Sequence, residues 1–276
     1  MLPMSVNITI LPSDARTDYA RHCLASYGAK FLDSWGNFPE EGVVLTGIPF
    51  TKNGKSLFTT LLPFFTIDSF IKKLTPDHII IGGNFPAAVT DYCAMHDIPC
   101  YDVLQSPSFG RLNTRLTAEG LLAQVMSKTP FSVLESKILL IGYGRCGKEI
   151  ARIFSNYSKK IVITEKNQKS VSAALANGFK CFSPDKIRGN KSLLAQTNII
   201  INTAPDVPIA SSFFTYIPSD CYVFQVASGP LLLPETFHGI LINCPGIPGK
   251  YAPKTAGSKL AAEICKYCDI ISRNLE

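Results

Sequence analysis

Gly142, Gly144 and Gly147 stand in G-x-G-x-x-G spacing within KILLIGYGRCGKEIARIF. Glycines at those intervals can turn a chain sharply, bring backbone against a diphosphate, and let a helix settle on the strand before it. The pattern is common by chance and gains meaning from its setting, after an apolar strand and at the head of an amphipathic helix. Amide groups from Tyr143 through Arg145, Cys146 and Gly147 would then face an anion at the helix start. The next strand ends at Thr164-Glu165, where an acidic side chain can accept the ribose hydroxyls of an adenosine, as in NAD sites. Lys166 beside it could instead meet a 2′-phosphate, so NAD and NADP both stand. In sheets of this type ligands lie beyond the carboxyl ends of strands. Asn202, Thr203, Ala204 and Pro205 of IIINTAPDVPI should therefore border the nicotinamide, with Ala227 and Ser228 of VASGP offering small groups near it. Asn202-Thr203 could equally cap a helix.

A second segment with chemical potential is INCPGIPGKYAPKTAG. Proline fixes φ and glycine opens conformations closed to other residues, so a loop this rich in both is shaped rather than floppy. It carries Lys250 and Lys254 and leads into a helix expected to begin at Thr255-Ala256, whose first amides would favour an anion. Arg16, after the first strand, and Arg115 could supply further cations. Glu119 is the titratable group best suited to proton transfer. His22, His78, His96 and His238 read as surface or cap residues.

These groups need a frame, and 276 residues with 46% hydrophobic content supply one. Strands alternate with helices through the first hundred residues: VNITIL, AKFLD, GVVLT, HIIIGG and IPCYD, with helices after the first, third and fourth. A helix is expected over 113–128. The alternation then resumes with KILLIG, KIVIT, FKCF, NIIINT, CYVFQVAS and GILINC, and a last helix follows. Alternation of this kind predicts α/β structure with parallel sheets covered on both faces. The expected organisation is two doubly wound, Rossmann-like domains. Residues 1–112 form a substrate domain, with the helix 255–276 packing back at its seam. Residues 113–254 form the dinucleotide domain, beginning with the connecting helix 113–128. The segment 47–64 is irregular and reads as a hairpin or an active-site loop.

A net charge of +6 with scattered basic residues argues against nucleic acid as a partner. No window approaches a membrane span, and the N-terminal stretch reads as a strand rather than a signal peptide. Nine cysteines, spread singly apart from Cys265 and Cys268, read as reduced cytosolic thiols, with no metal site.

The segments DAR at 14–16, TAEG at 117–120, TPF at 129–131, the glycine loop, INT at 201–203, AS at 227–228 and the PG, PG and APKTAG pieces across 245–257 occur in order over nearly the whole chain. On these the chain resembles the dipicolinate synthase A subunits of spore-forming bacteria. The resemblance implies a formate/glycerate dehydrogenase-like arrangement and a pyridine nucleotide, NADP by family habit. It implies oxidation of dihydrodipicolinate, or its hydroxylated precursor, to pyridine-2,6-dicarboxylate. It also implies a flavoprotein partner, the B subunit, together with a homo-oligomer and the cytoplasm of a sporulating mother cell. Arg16, Arg115, Lys250, Lys254, Thr255 and Ser228 would then contact a cyclic dicarboxylate, with Lys254 and Glu119 at the reacting centre. The chain departs from the family at Pro12-Ser13 before DAR, at Gln225 where an acid is usual, and at Thr164-Glu165-Lys166, which favours NAD. Two alternatives are a 2-hydroxyacid dehydrogenase-like enzyme and a non-catalytic dinucleotide-binding subunit.

Overall fold

The computed structural model describes residues 7–62, 65–205, 211–228, 231 and 233–274. Two compact units share the chain: residues 1–113 with 248–276, and residues 114–247.

The first unit carries five parallel strands, β1 (Ile8–Ile10), β2 (Lys30–Phe31), β3 (Gly42–Leu45), β4 (His78–Gly82) and β5 (Cys100–Asp102). Their order is β2-β1-β3-β4-β5, so the winding reverses between β1 and β3. Strands β1 and β3 are almost wholly apolar and buried, as expected when helices cover both faces. The helices are α1 (Ala15–Cys23), α2 (Ile67–Ile71), α3 (Ala87–Met95) and the start of α4 (Pro107–Lys128).

Helix α4 begins six residues before the expected Asn113. Proline is tolerated in a first helical turn, and the Gly110 amide donates to the Ser106 carbonyl at 2.8 Å, closing that turn. His78 also differs from expectation. It is fully buried, with Nδ1 2.9 Å from the Thr75 amide and Nε2 3.0 Å from the Pro39 carbonyl, and it anchors the start of β4.

The second unit carries β6 (Ile138–Ile141), α5 (Arg145–Phe154), β7 (Ile161–Thr164), α6 (Gln168–Ala176), β8 (Lys180–Phe182), α7 (Pro184–Gly189), α8 (Lys191–Leu194), β9 (Ile199–Asn202), α9 (Ser211–Phe214), β10 (Tyr222–Gln225) and β11 (Ile240–Asn243). All six strands are parallel in the order β11-β10-β9-β6-β7-β8, which is the Rossmann order. The reversal falls between β6 and β9, whose residues are all buried. Apolar side chains of β6, β9 and β10 form the centre of two cores, one on each face of the sheet.

The proline- and glycine-rich segment after β11 is helical. Helix α10 (Ile247–Tyr251) takes Pro248 into its first turn, and after a bend at Ala252 the chain continues as α11 (Pro253–Asn274). The Ala252 amide donates to Pro248 and the Ala256 amide to Ala252. Thr255 and Ala256 therefore do not open the last helix as expected, and the Ala256 amide is not available to an anion. The following pair has a packing role instead. Ala256 and Gly257 are buried where α11 crosses α1. A Cβ on Gly257 would lie 2.5 Å from the Arg16 carbonyl and 2.6 Å from Tyr19 Cβ, so only glycine lets the two helices approach this closely.

Candidate functional site

Each of the three loop glycines meets a different constraint. Gly142 follows β6 with φ +91°, a region that disfavours side chains, and a Cβ there would sit 2.8 Å from Thr203 Oγ1. Gly147 lies in the first turn of α5, where a Cβ would come 2.2 Å from the Gly142 carbonyl oxygen. Both glycines are thus required by the fold. Gly144 is not. It is the N-cap of α5 with φ −74°, and nothing lies within 4 Å of a Cβ built on it. Open space over an exposed glycine at a helix start is what a backbone in contact with a diphosphate needs.

Glu165, one residue past β7, turns its carboxylate onto this loop. Oε2 accepts from the Tyr143 amide at 2.7 Å, and Oε1 accepts from the amides of Lys166 and Asn167, each at 2.8 Å. Three backbone amides thus hold this side chain beside the glycine turn. The Thr164 hydroxyl just before it is buried, with no hydrogen-bond partner among the described residues. Lys166 is exposed. The Tyr143 ring is buried beneath the loop, and its hydroxyl accepts from Asn177 Nδ2 at 3.2 Å. Burial pushes that phenol above its ordinary range. Burial likewise raises the thiol of Cys146 in the first turn of α5, keeping it protonated.

The carboxyl end of β9 adjoins the same turn. Thr203 Oγ1 donates to the Ile141 carbonyl at 2.9 Å and lies 3.2 Å from that of Gly142, so this side chain buttresses the glycine turn. Asn202 is buried; its Nδ2 donates to Gln225 Oε1 at 2.8 Å, and its Oδ1 accepts from the Ala204 amide at 3.1 Å. Gln225 in turn donates to the Ala227 carbonyl at 3.2 Å. Asn202 and Gln225 are paired in register on β9 and β10, so this neutral amide pair ties two strand ends together. Ala204 and Ala227 are half-buried, and Pro205 and Ser228 are exposed. Asp206 to Ile209 and Gly229-Pro230, in the two motifs read from the sequence, lie outside the described residues.

The expected cations separate into two kinds. Arg16, expected to grip a ligand, is only 3% exposed. Asp14 Oδ2 accepts from its Nη2 at 2.6 Å, Asp14 Oδ1 from its Nε at 3.0 Å, and the Ile48 carbonyl also accepts from Nη2. Its charge is therefore met within the protein. Lys250, Lys254 and Thr255 are exposed. Arg115 and Glu119 are exposed on α4, while Thr117 and Gly120 of the same motif are buried.

The sequence reading missed Lys52, in the irregular segment after β3. Residues 51–57 close through an isolated antiparallel bridge, and Asn53 Oδ1 accepts from the amides of Lys55 and Ser56. Pro63 and Phe64 of this segment lie outside the described residues. Lys52 Nζ stands 3.3 Å from the centroid of the Phe58 ring. Although the residue has exposed surface, burial of the ammonium holds its pKa below the ordinary lysine range; Asp14 opposes this, while Lys250 and Arg16 add to it.

A cavity of about 680 Å³ lies at the amino ends of β6, β7 and β8, lined by Lys137, Lys160 and Lys180 among others. It is at the sheet edge opposite the glycine loop. No metal-binding cluster and no helix long and apolar enough to cross a membrane occur among the described residues.

With this geometry in hand, comparison with known proteins gives consistent results. No protein-family model matches the chain. The A subunit of dipicolinate synthase from Bacillus subtilis (strain 168) is 24% identical over 197 residues, covering 70% of this chain. That alignment spans 65% of the relative's length. The crystal structure of the dipicolinate synthase A subunit from Bacillus halodurans superposes with a TM-score of 0.83 at 20% identity, covering 96% of this chain and 98% of that one. The corresponding Bacillus subtilis structure gives 0.80 at 18%, covering 99% of each. An L-alanine dehydrogenase superposes less closely, with a TM-score of 0.59 at 14% identity over 97% of this chain and 91% of its own. The chain is thus similar to the dipicolinate synthase A subunits and shares their dehydrogenase-like fold.

Proposed function

We propose that this chain is an oxidoreductase that converts dihydrodipicolinate, or its hydroxylated precursor, to pyridine-2,6-dicarboxylate with a nicotinamide dinucleotide. The observation that carries the reading is Gly144, a glycine the protein's own packing does not require, placed at the start of α5 with Glu165 fixed beside the same turn. That combination fits a diphosphate and an adenosine ribose, and NAD fits the acidic strand end better than NADP.

When bound, the dinucleotide supplies the hydride acceptor. The chain's own residues bind and orient. Gly142, Gly144 and the amides opening α5 hold the diphosphate, Glu165 takes the ribose hydroxyls, and Asn202 to Pro205 with Ala227 frame the nicotinamide. Ser228, Lys250, Lys254 and Thr255 are assigned to the carboxylates of the ring acid, with Arg115 as a further cation. Glu119 is assigned to accept the proton released as the ring becomes aromatic. A gain of aromaticity leaves positioning and charge matching as the protein's main tasks.

By likeness to its relative, the chain is read as the A subunit, working with a flavoprotein B subunit in the cytoplasm of a spore-forming bacterium and forming homo-oligomers. The neutral Asn202–Gln225 pair, with Gln225 where the family resemblance leads one to expect an acid, favours a second reading: a dinucleotide-binding subunit without turnover. Titration of the purified protein with NADH and NADPH tests the shared premise. Binding of NADH tighter than NADPH is expected; binding of neither would end both readings. Formation of pyridine-2,6-dicarboxylate from dihydrodipicolinate separates the two.

A further inference from the structure

The winding of the first unit reverses between β1 and β3, and in doubly wound sheets the carboxyl side of that reversal is where a ligand sits. The residues leaving β1 are Leu11 to Arg16 and those leaving β3 are Thr46 to Lys52, so the fold itself brings Asp14, Arg16 and Lys52 to one sheet edge. Residues Gly249 and Lys250 join them from α10. Gly249 packs directly on the ion pair, where an added Cβ would lie 2.5 Å from Asp14 Oδ2 and 3.1 Å from Arg16 Nε.

Charge at this edge does not balance. Asp14 and Arg16 neutralise one another through the salt bridge at 2.6 Å. Lys52 and Lys250 have no carboxylate within salt-bridge distance among the described residues. Two positive charges are therefore left over. Lys52 is also held in place, its ammonium over the Phe58 ring at 3.3 Å, a contact that favours a cation without neutralising it. Beside Asp14, the Ser13 hydroxyl is 7% exposed and has no hydrogen-bond partner among the described residues. Like-charged groups gathered at one sheet edge form an arrangement that an anion completes.

We infer that Lys52 and Lys250 are the pair that grips a small divalent acid in the first unit, with Arg16 and Asp14 as positioning residues rather than ligands. This rests on the proposed function for the identity of the acid, a ring bearing two carboxylates, and reassigns the cations that hold it. Burial is the main cause that holds the Lys52 pKa down; Asp14 opposes it, Lys250 and Arg16 add to it, and a bound dianion would relieve the repulsion from those two cations.

The experiment is trace acylation of lysines in the full-length protein, read by mass spectrometry. It is run with and without pyridine-2,6-dicarboxylate, with benzene-1,3-dicarboxylate as a probe that chelates metals poorly, and with pyridine-2-carboxylate as the singly charged control. Both dicarboxylates should protect Lys52 and Lys250 at least fivefold, with exposed Lys128 and Lys166 unchanged and the monocarboxylate far less effective. In calorimetry, Lys52→Met and Lys250→Met should each weaken dicarboxylate binding at least tenfold while NADH affinity stays at the wild-type value; Lys52→Arg should restore most of it. Dicarboxylate binding that leaves both lysines unprotected, or that survives Lys52→Met, overturns the inference even if the protein makes pyridine-2,6-dicarboxylate. Protection of both lysines in a protein that makes no product would instead leave the inference standing and remove the proposed reaction. No binding of either dicarboxylate removes both.

Discussion

Alanine at Gly144 and at Gly147 should have opposite consequences, although the two glycines share one loop. At Gly147 the new Cβ would sit 2.2 Å from the Gly142 carbonyl oxygen, a backbone atom that cannot swing aside. Real contacts of this kind rarely fall below 3.0 Å, so α5 must move outward by most of an ångström along the strand on which it packs. Overpacking of this order costs about 1–3 kcal/mol, against which helix propensity returns up to about 1 kcal/mol. Gly147→Ala should therefore lose stability and distort the anion-facing turn together. At Gly144 the Cβ meets nothing within 4 Å and φ is −74°, so stability should stay within about 0.5 kcal/mol of wild type. The methyl group would occupy the space above the helix start, however, and displacing one charge-assisted hydrogen bond to a phosphate costs about 1.5–3 kcal/mol, or roughly tenfold to a hundredfold in affinity. Thermal melting and NADH titration on the two variants separate these effects. If Gly144→Ala binds NADH as tightly as wild type, the claim that this glycine is reserved for a ligand is refuted.

Replacing Glu165 with alanine should weaken NADH binding and narrow the gap between NADH and NADPH, checked by parallel titrations; an unchanged ratio would show that the carboxylate takes no part in ribose recognition. Glu263, on α11, is a second test of the first unit's construction. Burial raises its pKa, but hydrogen bonds from Ser106, Ser108 and Lys266 outweigh this and hold it below the ordinary glutamate value of 4.5. A lowered folded pKa gives stability that is complete above the unfolded value and fades as pH drops through the folded one. Glu263→Gln should thus melt earlier at neutral pH, with the gap to wild type closing on acidification below 4.5. A gap that widens in acid would reverse the assignment. Gly257→Val should destabilise the first unit by more than about 2 kcal/mol in denaturant titration, because the added carbons would enter the backbone of α1.

The elements are legible in the sequence wherever apolar runs are long and bounded, as in KILLIG and NIIINT, because parallel strands buried on both faces leave that signature. The glycine loop is legible for the same reason: strand, turn and helix are contiguous, so spacing reports geometry. Residues whose partners lie far away in sequence are not. Lys52 carries no local mark of importance; Phe58 reaches it through the closure of its own loop, but Asp14 and Lys250 come near it only through the winding of the first sheet. Arg16 reads as a free cation from sequence because Asp14, two residues earlier, looks like a helix cap. It is one, accepting from the Arg16 amide, and it also holds the guanidinium. The helical turn Ile247–Tyr251 is hidden by Pro248 and Gly249, whose local preferences are overridden by Gly249 packing on the ion pair. The Asn202–Gln225 pair needs the register of β9 against β10, which composition cannot supply.

The central claim is that this protein moves a hydride from a cyclic dicarboxylate to a nicotinamide. The measurement that tests it most directly follows reduced nicotinamide and pyridine-2,6-dicarboxylate together, by absorbance and chromatography. The protein is mixed under argon with dihydrodipicolinate and NAD, with and without the B subunit. One reduced nicotinamide should appear for each molecule of aromatic product, and Gly144→Ala should slow both equally. Aromatic product that accumulates with no reduced nicotinamide would contradict the account.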